Sequence, residues 1–311
     1  MVDFDSIRAG YISTSTCFTK KYIFQLGGGG GYCAEMGHLL KQIYACIFNG
    51  IQLCMGKVVS PRGYAVNAGW SDYFEPIFPY ELCPVLSIFN RSIFPLNRVP
   101  VFRIASKLIL KTSCGQNFYM FDEIPKGYPE DILVGKIGIS SDYWLGAAQL
   151  VRALWRYGSD VEDRIGRYMN GFSDMVNKEY VAIHIRRGDK ITEAPYVALE
   201  KYIEVLEQHA LIGKPIFLAS DDVRVRKDFK AILGNNIDIR SFDGIQQAGY
   251  DQTSFNSKDK ARRWEETVMF MFELDMMRDA SFFVGASPSN VFYWTRYRRG
   301  NQKILDVGHD C

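Results

Sequence analysis

Two adjacent arginines stand at the end of an apolar run that is rich in β-branched residues. The run covers residues 180–186 and ends at Arg186, and Arg187 follows it. Such a run predicts a buried strand, and open α/β sheets bind ligands beyond the carboxyl ends of their strands. Guanidinium groups placed there can make bidentate hydrogen bonds to phosphate oxygens. The pair therefore predicts a phosphate-binding site; the alternative is a solvated basic turn.

A pair of carboxylates ends a second apolar run, at 214–222. Ser220, Asp221 and Asp222 stand there, just before a predicted helix. Two acids at a strand end can order the neighbouring arginines or bind a ligand hydroxyl. One of them can equally be the N-cap of the next helix. Both interpretations fit the sequence.

A third strand end carries hydroxyl and amide side chains. Ser287, Pro288, Ser289 and Asn290 follow the apolar run at 280–286 and open a predicted helix. The first turn of a helix has backbone N–H groups without helical partners and is the positive end of the helix dipole. Both properties favour phosphate. A plain N-cap explains Ser287 equally well.

Five glycines occupy 27–31, between a predicted strand and a predicted helix. Gly29, Gly30 and Gly31, followed by Tyr-Cys-Ala, fit a loose GxGxxA pattern. A dinucleotide enzyme also needs an acid at the end of the next strand to hold the ribose, and the stretch 51–63 has none. We therefore expect these glycines to let the backbone approach a ligand phosphate or sugar closely. A Rossmann-type redox or methyl-transfer enzyme is the weaker alternative.

Composition and charge narrow the class of protein. Of the 311 residues, 47% are hydrophobic and 23% are charged, as in ordinary globular proteins. The net charge is only +2, which gives no electrostatic reason to expect a nucleic-acid partner or a membrane surface. The seven cysteines include no CxxC pair and indicate free thiols in a reducing compartment.

Metal and membrane signals are weak in the sequence. Histidines and cysteines do not occur at metal-ligand spacing, and the one DxD, Asp3-Phe4-Asp5, has no strand before it. We therefore expect no metal and no cofactor apart from the substrate. The N-terminus does not resemble a signal peptide, and no apolar run reaches the roughly 18 residues that span a bilayer. The expected location is cytoplasmic, or the sequence is a soluble catalytic fragment of a larger or anchored protein.

Strands alternate with helices along the chain. In the second half, the predicted strands cover 180–186, 214–222, 237–242 and 280–286, and the predicted helices cover 195–210, 225–233, 262–280 and a stretch from 287. The first half offers a strand at 22–26, a helix at 32–50 and a strand at 51–59. This alternation indicates parallel sheets with crossover helices. We therefore predict an α/β fold in which two Rossmann-like domains, 1–150 and 151–311, face a cleft.

Together these segments resemble a known family. HIRRGDKITEA, FLASDD and FFVGASPSNV, in that order, resemble the metal-independent fucosyltransferases, which include the core α1,6-fucosyltransferases of N-glycans and the rhizobial Nod-factor fucosyltransferases. The first segment also resembles the HxRRxD motif of α1,2-fucosyltransferases. The glycine run and NAGWSDYFEPIF resemble the family's glycine-rich loop and GGW segment.

The resemblance implies a GT-B-like fold, a GDP-sugar donor (most often GDP-fucose), a glycan acceptor, and inversion at the anomeric carbon without a metal. The family's proposed base follows the RRxDK segment, which points to Glu193. Such a carboxylate would take the proton of the acceptor hydroxyl. The chain is one residue shorter than the core enzymes between Lys190 and Glu193, and the alternative role of Glu193 is a charge at a helix start.

The resemblance also implies roles for single residues. Arg186 would contact the donor diphosphate, supported by Arg187, Asp189 and Lys190. Guanine would be bound by His184 and by an acid of the 262–280 helix. The remaining implied donor contacts are Glu273 or the nearby Asp275 as that acid, Ser289 beside the phosphates, Asp221 and Asp222 in the supporting network, and Tyr64 near the nucleotide.

Two alternatives share this fold. One is a transferase with another nucleotide-sugar donor, for example a UDP-pentose such as UDP-xylose. The other is a catalytically silent protein that binds a nucleotide or a sugar.

Overall fold

The structure, a computed structural model, describes residues 2–24, 26, 31–56, 63–81, 130–188, 196–234, 237–242 and 249–308. The chain divides into two compact units: the N-terminal unit, Met1–Gly158, and the C-terminal unit, Ser159–Cys311.

The N-terminal unit contains a small parallel sheet. Its strands pair in the order β1-β2-β3. The fully buried Met36, Leu39 and Ile43 lie at the three- and four-residue spacing of one helix face, and residues 42–47 of α2 are buried on all sides. The elements are α1 (Phe4–Thr16), β1 (Lys20–Phe24), α2 (Tyr32–Phe48), β2 (Ile51–Gly56), a 3₁₀ turn (Trp70–Asp72), β3 (Tyr80–Glu81), α3 (Glu130–Ile132), a π-helical turn (Leu133–Ile137) and α4 (Tyr143–Leu154).

The first helix was not expected from the sequence. Asp3 is its N-cap, and the Asp3 carboxylate accepts hydrogen bonds from the backbone amides of Asp5 at 3.0 Å and Ser6 at 3.3 Å. The Asp3-Phe4-Asp5 segment therefore starts a helix. The helix is only weakly amphipathic because serine, threonine and glycine interrupt its apolar residues.

The C-terminal unit contains a five-stranded sheet in which every neighbouring pair is parallel. The strand order is β6-β5-β4-β7-β8. The elements are α5 (Ser159–Asn170), α6 (Ser173–Val176), β4 (Val181–Ile185), α7 (Leu199–Gln208), β5 (Ile216–Ser220), α8 (Val223–Leu233), β6 (Ile239–Arg240), α9 (Gln252–Ser257), α10 (Lys260–Asp279), β7 (Phe282–Gly285), α11 (Asn290–Arg299) and β8 (Ile304–Asp306).

Both faces of this sheet are covered by helices. Ile183 and Ile185 of β4 pack in one buried cluster with residues of α7 and α8. Alternate residues point to the opposite face. There Phe217 of β5 meets the rings of Phe172 and Phe272, at 5.6 Å and 6.1 Å between centroids. Because both faces are buried, these strands read as continuous apolar runs in the sequence.

The predicted α/β class with parallel sheets is confirmed. The strand predicted at 237–242 is shorter, Ile239–Arg240, and β8 was missed because it has only three residues, of which two are apolar. Within the described ranges, no helix is both long enough and apolar enough to cross a bilayer.

Candidate functional site

The strand order marks one place on the C-terminal sheet as a ligand site. From β4 the chain crosses to β5 and then β6 on one side, whereas β7 and β8 lie on the other side of β4. β4 and β7 are therefore neighbours at the point where the strand order reverses, and open α/β sheets bind ligands beyond the carboxyl ends of such strands. Arg186 follows β4 here, and Ser287 lies two residues after β7.

One carboxylate fixes the loop that follows β4. Asp221, directly after β5, accepts hydrogen bonds from the backbone amides of Arg187 at 2.6 Å and Gly188 at 2.9 Å. A Cβ at position 188 would meet Asp221 Oδ2 at 2.6 Å and the backbone oxygen of Tyr250 at 2.8 Å, so only glycine fits without a shift. Burial raises the pKa of Asp221, while these amides and the charge of Arg186 oppose that rise. Asp221 therefore orders the arginine loop.

The two arginines of this loop have different surroundings. Arg187 donates hydrogen bonds to the carbonyls of Arg186 at 3.0 Å and Val197 at 2.7 Å, and its guanidinium lies 5.0 Å from the centroid of the Tyr196 ring. Arg186 is half-buried, and its charge helps to lower the pKa of the His184 imidazole. Arg187 is thus bound into the loop's own framework, whereas Arg186 places a cation beside His184.

Two titratable groups of the C-terminal unit, His184 and Glu273, are buried and have shifted pKa values. Burial, with the charge of Arg186, lowers the pKa of His184 to about 3, so its imidazole is neutral at pH 7. Burial raises the pKa of Glu273 in α10 to about 8, against the attraction of Arg226, whose Nη2 lies 3.9 Å from Glu273 Oε1. A carboxyl that keeps its proton at neutral pH can donate as well as accept a hydrogen bond.

Asp222 and Asp275 are engaged within the C-terminal unit. Asp222 is the N-cap of α8: it accepts the amide of Arg224 at 2.9 Å, and its side-chain pairing with Arg224 lowers its pKa. This is the cap that the sequence allowed for one of the two acids. Asp275 accepts hydrogen bonds from Arg278 at 2.9 Å and from the buried Arg298. It therefore lies in an arginine network of its own.

A second carboxylate anchors the loop that follows β7. Asp306, the last residue of β8, accepts the backbone amides of Ser287 at 2.9 Å and Gly308 at 2.8 Å through its Oδ1. Ser287 is buried, and within the described residues its Oγ has no hydrogen-bond partner. A buried hydroxyl without a partner is costly, which makes Ser287 Oγ a candidate ligand contact.

The start of α11 lies just beyond this loop. Ser289 is the N-cap, and its Oγ accepts the amide of Val291 at 3.3 Å. The exposed Asn290 is the first helical residue. The helix therefore presents its N-terminal amides and positive dipole end beyond β7.

Of the four residues of the N-terminal unit that were expected at the donor, Tyr64 and Gly31 are among the described residues. Tyr64 is buried, and its hydroxyl donates a 2.6 Å hydrogen bond to Glu35 of α2; burial, with Glu35, raises the pKa of Tyr64. Gly31 is the N-cap of α2, and a Cβ there would meet nothing within 4 Å. Gly31 is thus a helix start without a steric demand for glycine inside this unit.

The segment NAGWSDYFEPIF is ordered by one aspartate and one tryptophan. Asp72 accepts the backbone amides of the four residues 66–69, at 2.8 to 2.9 Å. Trp70 is buried, and its ring packs against Phe74 and Phe78 at 4.6 Å and 4.9 Å between centroids. The segment is therefore part of the core of the N-terminal unit.

Five of the predicted site residues, Gly29, Gly30, Asp189, Lys190 and Glu193, lie outside the described residues. Sequence reasoning missed Asp306, Tyr196 and Arg226. Asp306 had a weak signal, since only two apolar residues, Ile304 and Leu305, precede it. Tyr196 and Arg226 had none, because their roles depend on tertiary contacts. In the part of the chain that the structure describes, no group of three His, Cys, Asp or Glu side chains could hold a metal ion.

A family model described as alpha-(1,6)-fucosyltransferase N- and catalytic domains matches residues 16–248, three quarters of the chain. The chain belongs to this family. It is therefore a glycosyltransferase, and the resemblance inferred from its motifs is confirmed. The match includes Arg186 and Asp221 and ends before α10, so Glu273 and Ser287 lie beyond it.

Solved structures of NodZ, an α-1,6-fucosyltransferase, have a similar fold. The enzyme from Bradyrhizobium is 13% identical, with 90% of this chain and 92% of that chain covered and a TM-score of 0.52. NodZ co-crystallized with GDP is 13% identical, with 90% of this chain and 91% of that chain covered and a TM-score of 0.52. NodZ soaked with GDP-fucose is 14% identical, with 89% of this chain and 92% of that chain covered and a TM-score of 0.51. The predicted GT-B-like fold is thereby confirmed. None of the curated protein sequences matches this chain.

Proposed function

We propose that this glycosyltransferase moves L-fucose from GDP-fucose onto a hydroxyl of a glycan, with inversion at the anomeric carbon and without a metal ion. Family membership supports the transfer of fucose, and NodZ, a fucosyltransferase of the same fold, has been solved with GDP and after soaking with GDP-fucose. The observation that carries the proposal is the half-buried Arg186 at the carboxyl end of β4, beside the strand whose end leads into α11.

Arg186 contacts the diphosphate in this proposal. Breaking the bond between fucose and the β-phosphate builds negative charge on the departing GDP, and a fixed cation stabilises that charge. The amides at the start of α11, with Ser287 and Ser289, are suited to the same phosphates because of the helix dipole. Asp189 and Lys190 are proposed to support Arg186.

His184 and Glu273 bind guanine in this proposal. The neutral imidazole of His184 offers one donor and one acceptor, and a protonated Glu273 offers a donor and an acceptor on one group. Asp275, the alternative acid, already binds two arginines and is therefore the less suitable of the two.

Glu193 acts as the base in this proposal. Its carboxylate takes the proton of the acceptor hydroxyl, the hydroxyl oxygen bonds to the anomeric carbon, and GDP leaves from the opposite face. The domain 151–311 binds the donor, and the domain 1–150, with its glycine run and Tyr64, is proposed to face the acceptor and the nucleotide.

Isothermal calorimetry against GDP, UDP, GDP-fucose and NAD, in buffer with EDTA, tests the donor. We expect GDP and GDP-fucose to bind and UDP and NAD not to. Binding of UDP alone would show that the donor is a UDP-sugar. Release of fucose from GDP-fucose, measured in the wild type and in Glu193→Gln, then separates an enzyme from a silent nucleotide-binding protein. We expect Glu193→Gln to bind GDP normally and to lose transfer.

A further inference from the structure

All four backbone polar groups of Arg187 and Gly188 are held by side chains. The two amides donate to Asp221. The hydroxyl of Tyr196 has one proton, and the two carbonyls share it: the oxygen lies within hydrogen-bonding distance of both and is 2.9 Å from the oxygen of Gly188. Backbone groups in a loop are more often solvated, so this arrangement fixes two peptide units that would otherwise move freely.

The side chain of Arg187 completes the arrangement. Its Nη2 donates to the carbonyl of Val197, its Nη1 donates to the carbonyl of Arg186, and its guanidinium stacks on the ring of Tyr196. Residues 187–188 and 196–197 are therefore joined in both directions: Tyr196 donates to the first pair, and Arg187 donates to the second. The carbonyl of Arg186 is held by the same guanidinium.

We propose that Arg187 and Tyr196 form a latch that positions Arg186 for the diphosphate, and that Arg187 does not itself contact the phosphates. The proposal rests on the proposed function, since it assigns diphosphate binding to Arg186. The guanidinium of Arg187 already donates to the carbonyls of Arg186 and Val197 and has one face against the ring of Tyr196, which favours a structural role over a phosphate contact. Binding loses less conformational entropy when the loop is already fixed. GDP affinity therefore rises, because the loop holds Arg186, the residue that contacts the diphosphate. Arg187 and Tyr196 are therefore positioning residues.

Calorimetry on a small set of variants tests the latch. Tyr196→Phe keeps the ring under the guanidinium and loses the hydroxyl, and it should raise the Kd for GDP about three- to tenfold. Arg187→Lys keeps the charge and loses the fork, so it should weaken GDP binding as much as Arg187→Gln does. The double variant Tyr196→Phe/Arg187→Gln should be no weaker than Arg187→Gln alone, because both changes open the same latch.

Two further measurements separate positioning from contact and from misfolding. The salt dependence of GDP affinity should be unchanged in the latch variants and reduced in Arg186→Gln, because only a phosphate contact adds an ion pair that salt screens. Guanosine, which has no phosphate, should bind the latch variants as it binds the wild type. Tyr80→Phe is the matched control, since Tyr80 and Tyr196 are both 40% exposed.

The outcomes are distinct. Wild-type affinity in Tyr196→Phe would overturn the latch, because its hydroxyl would then have no part in GDP binding. Near-normal affinity in Arg187→Lys, with a reduced salt dependence in Arg187→Gln, would overturn it as well, because Arg187 would then be a phosphate contact. An equal loss of guanosine and GDP binding would also overturn it. If the wild type itself does not bind GDP, the proposed function fails first.

Discussion

A carboxylate holds backbone amides at the end of β4 and at the end of β7, and the two ends differ in the groups that they offer to a ligand. At each, a carboxylate at or just after the end of a neighbouring strand, β5 or β8, accepts two backbone amides: Asp221 holds Arg187 and Gly188, and Asp306 holds Ser287 and Gly308. At each, the glycine is required by space, since a Cβ at 188 would meet Asp221 and a Cβ at 308 would meet the backbone of Ser287.

The difference lies in the charge that each loop carries. The loop after β4 carries the cation of Arg186, whereas the loop after β7 carries a buried hydroxyl and leads into the N-terminus of α11. A full charge interacts with a diphosphate more strongly than a hydroxyl or a helix dipole. The comparison therefore predicts that damage at the end of β4 weakens nucleotide binding more than equivalent damage at the end of β7.

The largest effect is expected from Arg186→Ala. Because it removes the cation assigned to the diphosphate, we expect GDP affinity to fall on the order of 100-fold, and Arg186→Lys to recover part of it. Calorimetry measures both. Arg240→Ala is the control, since Arg240 pairs with Asp174 at 2.6 to 2.7 Å on the surface. Unchanged GDP affinity in Arg186→Ala would show that Arg186 does not bind the diphosphate.

The next effect is expected from Gly188→Ala. The new methyl group has no room beside Asp221 Oδ2 and Tyr250, so the loop must move and carry Arg186 with it. We expect GDP affinity to fall about tenfold or more. Gly166→Ala in α5 is the matched control, because a Cβ there meets nothing within 4 Å, and it should leave affinity unchanged. Equal affinities of the two variants would show that the loop need not be held.

A smaller effect is expected from Asp306→Asn. The substitution weakens the anchor of the loop after β7 but leaves every cation in place, so we expect a loss of GDP affinity of about two- to fivefold. Asp221→Asn, the equivalent change at the end of β4, should cost more in the same titration. A greater loss in Asp306→Asn would reverse the comparison of the two strand ends.

The smallest expected effect is on stability and concerns Glu273. An unfolded chain ionises this carboxyl near pH 4.5, but the folded chain keeps its proton up to about pH 8. Stability therefore falls as pH rises between these values and levels off above pH 8. In Glu273→Gln this loss should be absent, so melting curves at pH 6.5 and 8.5 should show a smaller fall in Tm than in the wild type. His184 adds a small rise in stability just above pH 6.5, where its unfolded-state imidazole is still partly protonated, and this rise is the same in the wild type and in Glu273→Gln. An equal fall in Tm in the wild type and in Glu273→Gln would contradict the raised pKa of Glu273.

The strands β4 and β5 and the helix α10 of the C-terminal unit could be predicted because their signals are strong. β4 and β5 are continuous apolar runs, and α10 is a helix of 20 residues that is followed by the short apolar strand β7. Asp221 and Ser287 were found because they follow such runs. The helix α1 and the strand β8 could not be predicted in this way, since one is weakly amphipathic and the other has three residues.

The different surroundings of Arg186 and Arg187 could not be read from the sequence. Adjacent residues of one type give the same signal, and the partners of Arg187 lie nine and ten residues further on, at Tyr196 and Val197. The choice between Glu273 and Asp275 also needed the fold, because only the fold brings Arg298 to Asp275. Contacts between distant segments decide these points.

A crystal structure of this chain with GDP tests the central claim most directly. We predict that phosphate oxygens lie within hydrogen-bonding distance of the Arg186 guanidinium, beyond the ends of β4 and β7, while Arg187 keeps its hydrogen bonds to the carbonyls of Arg186 and Val197. A diphosphate bound elsewhere, with Arg186 in contact only with solvent, would contradict the account.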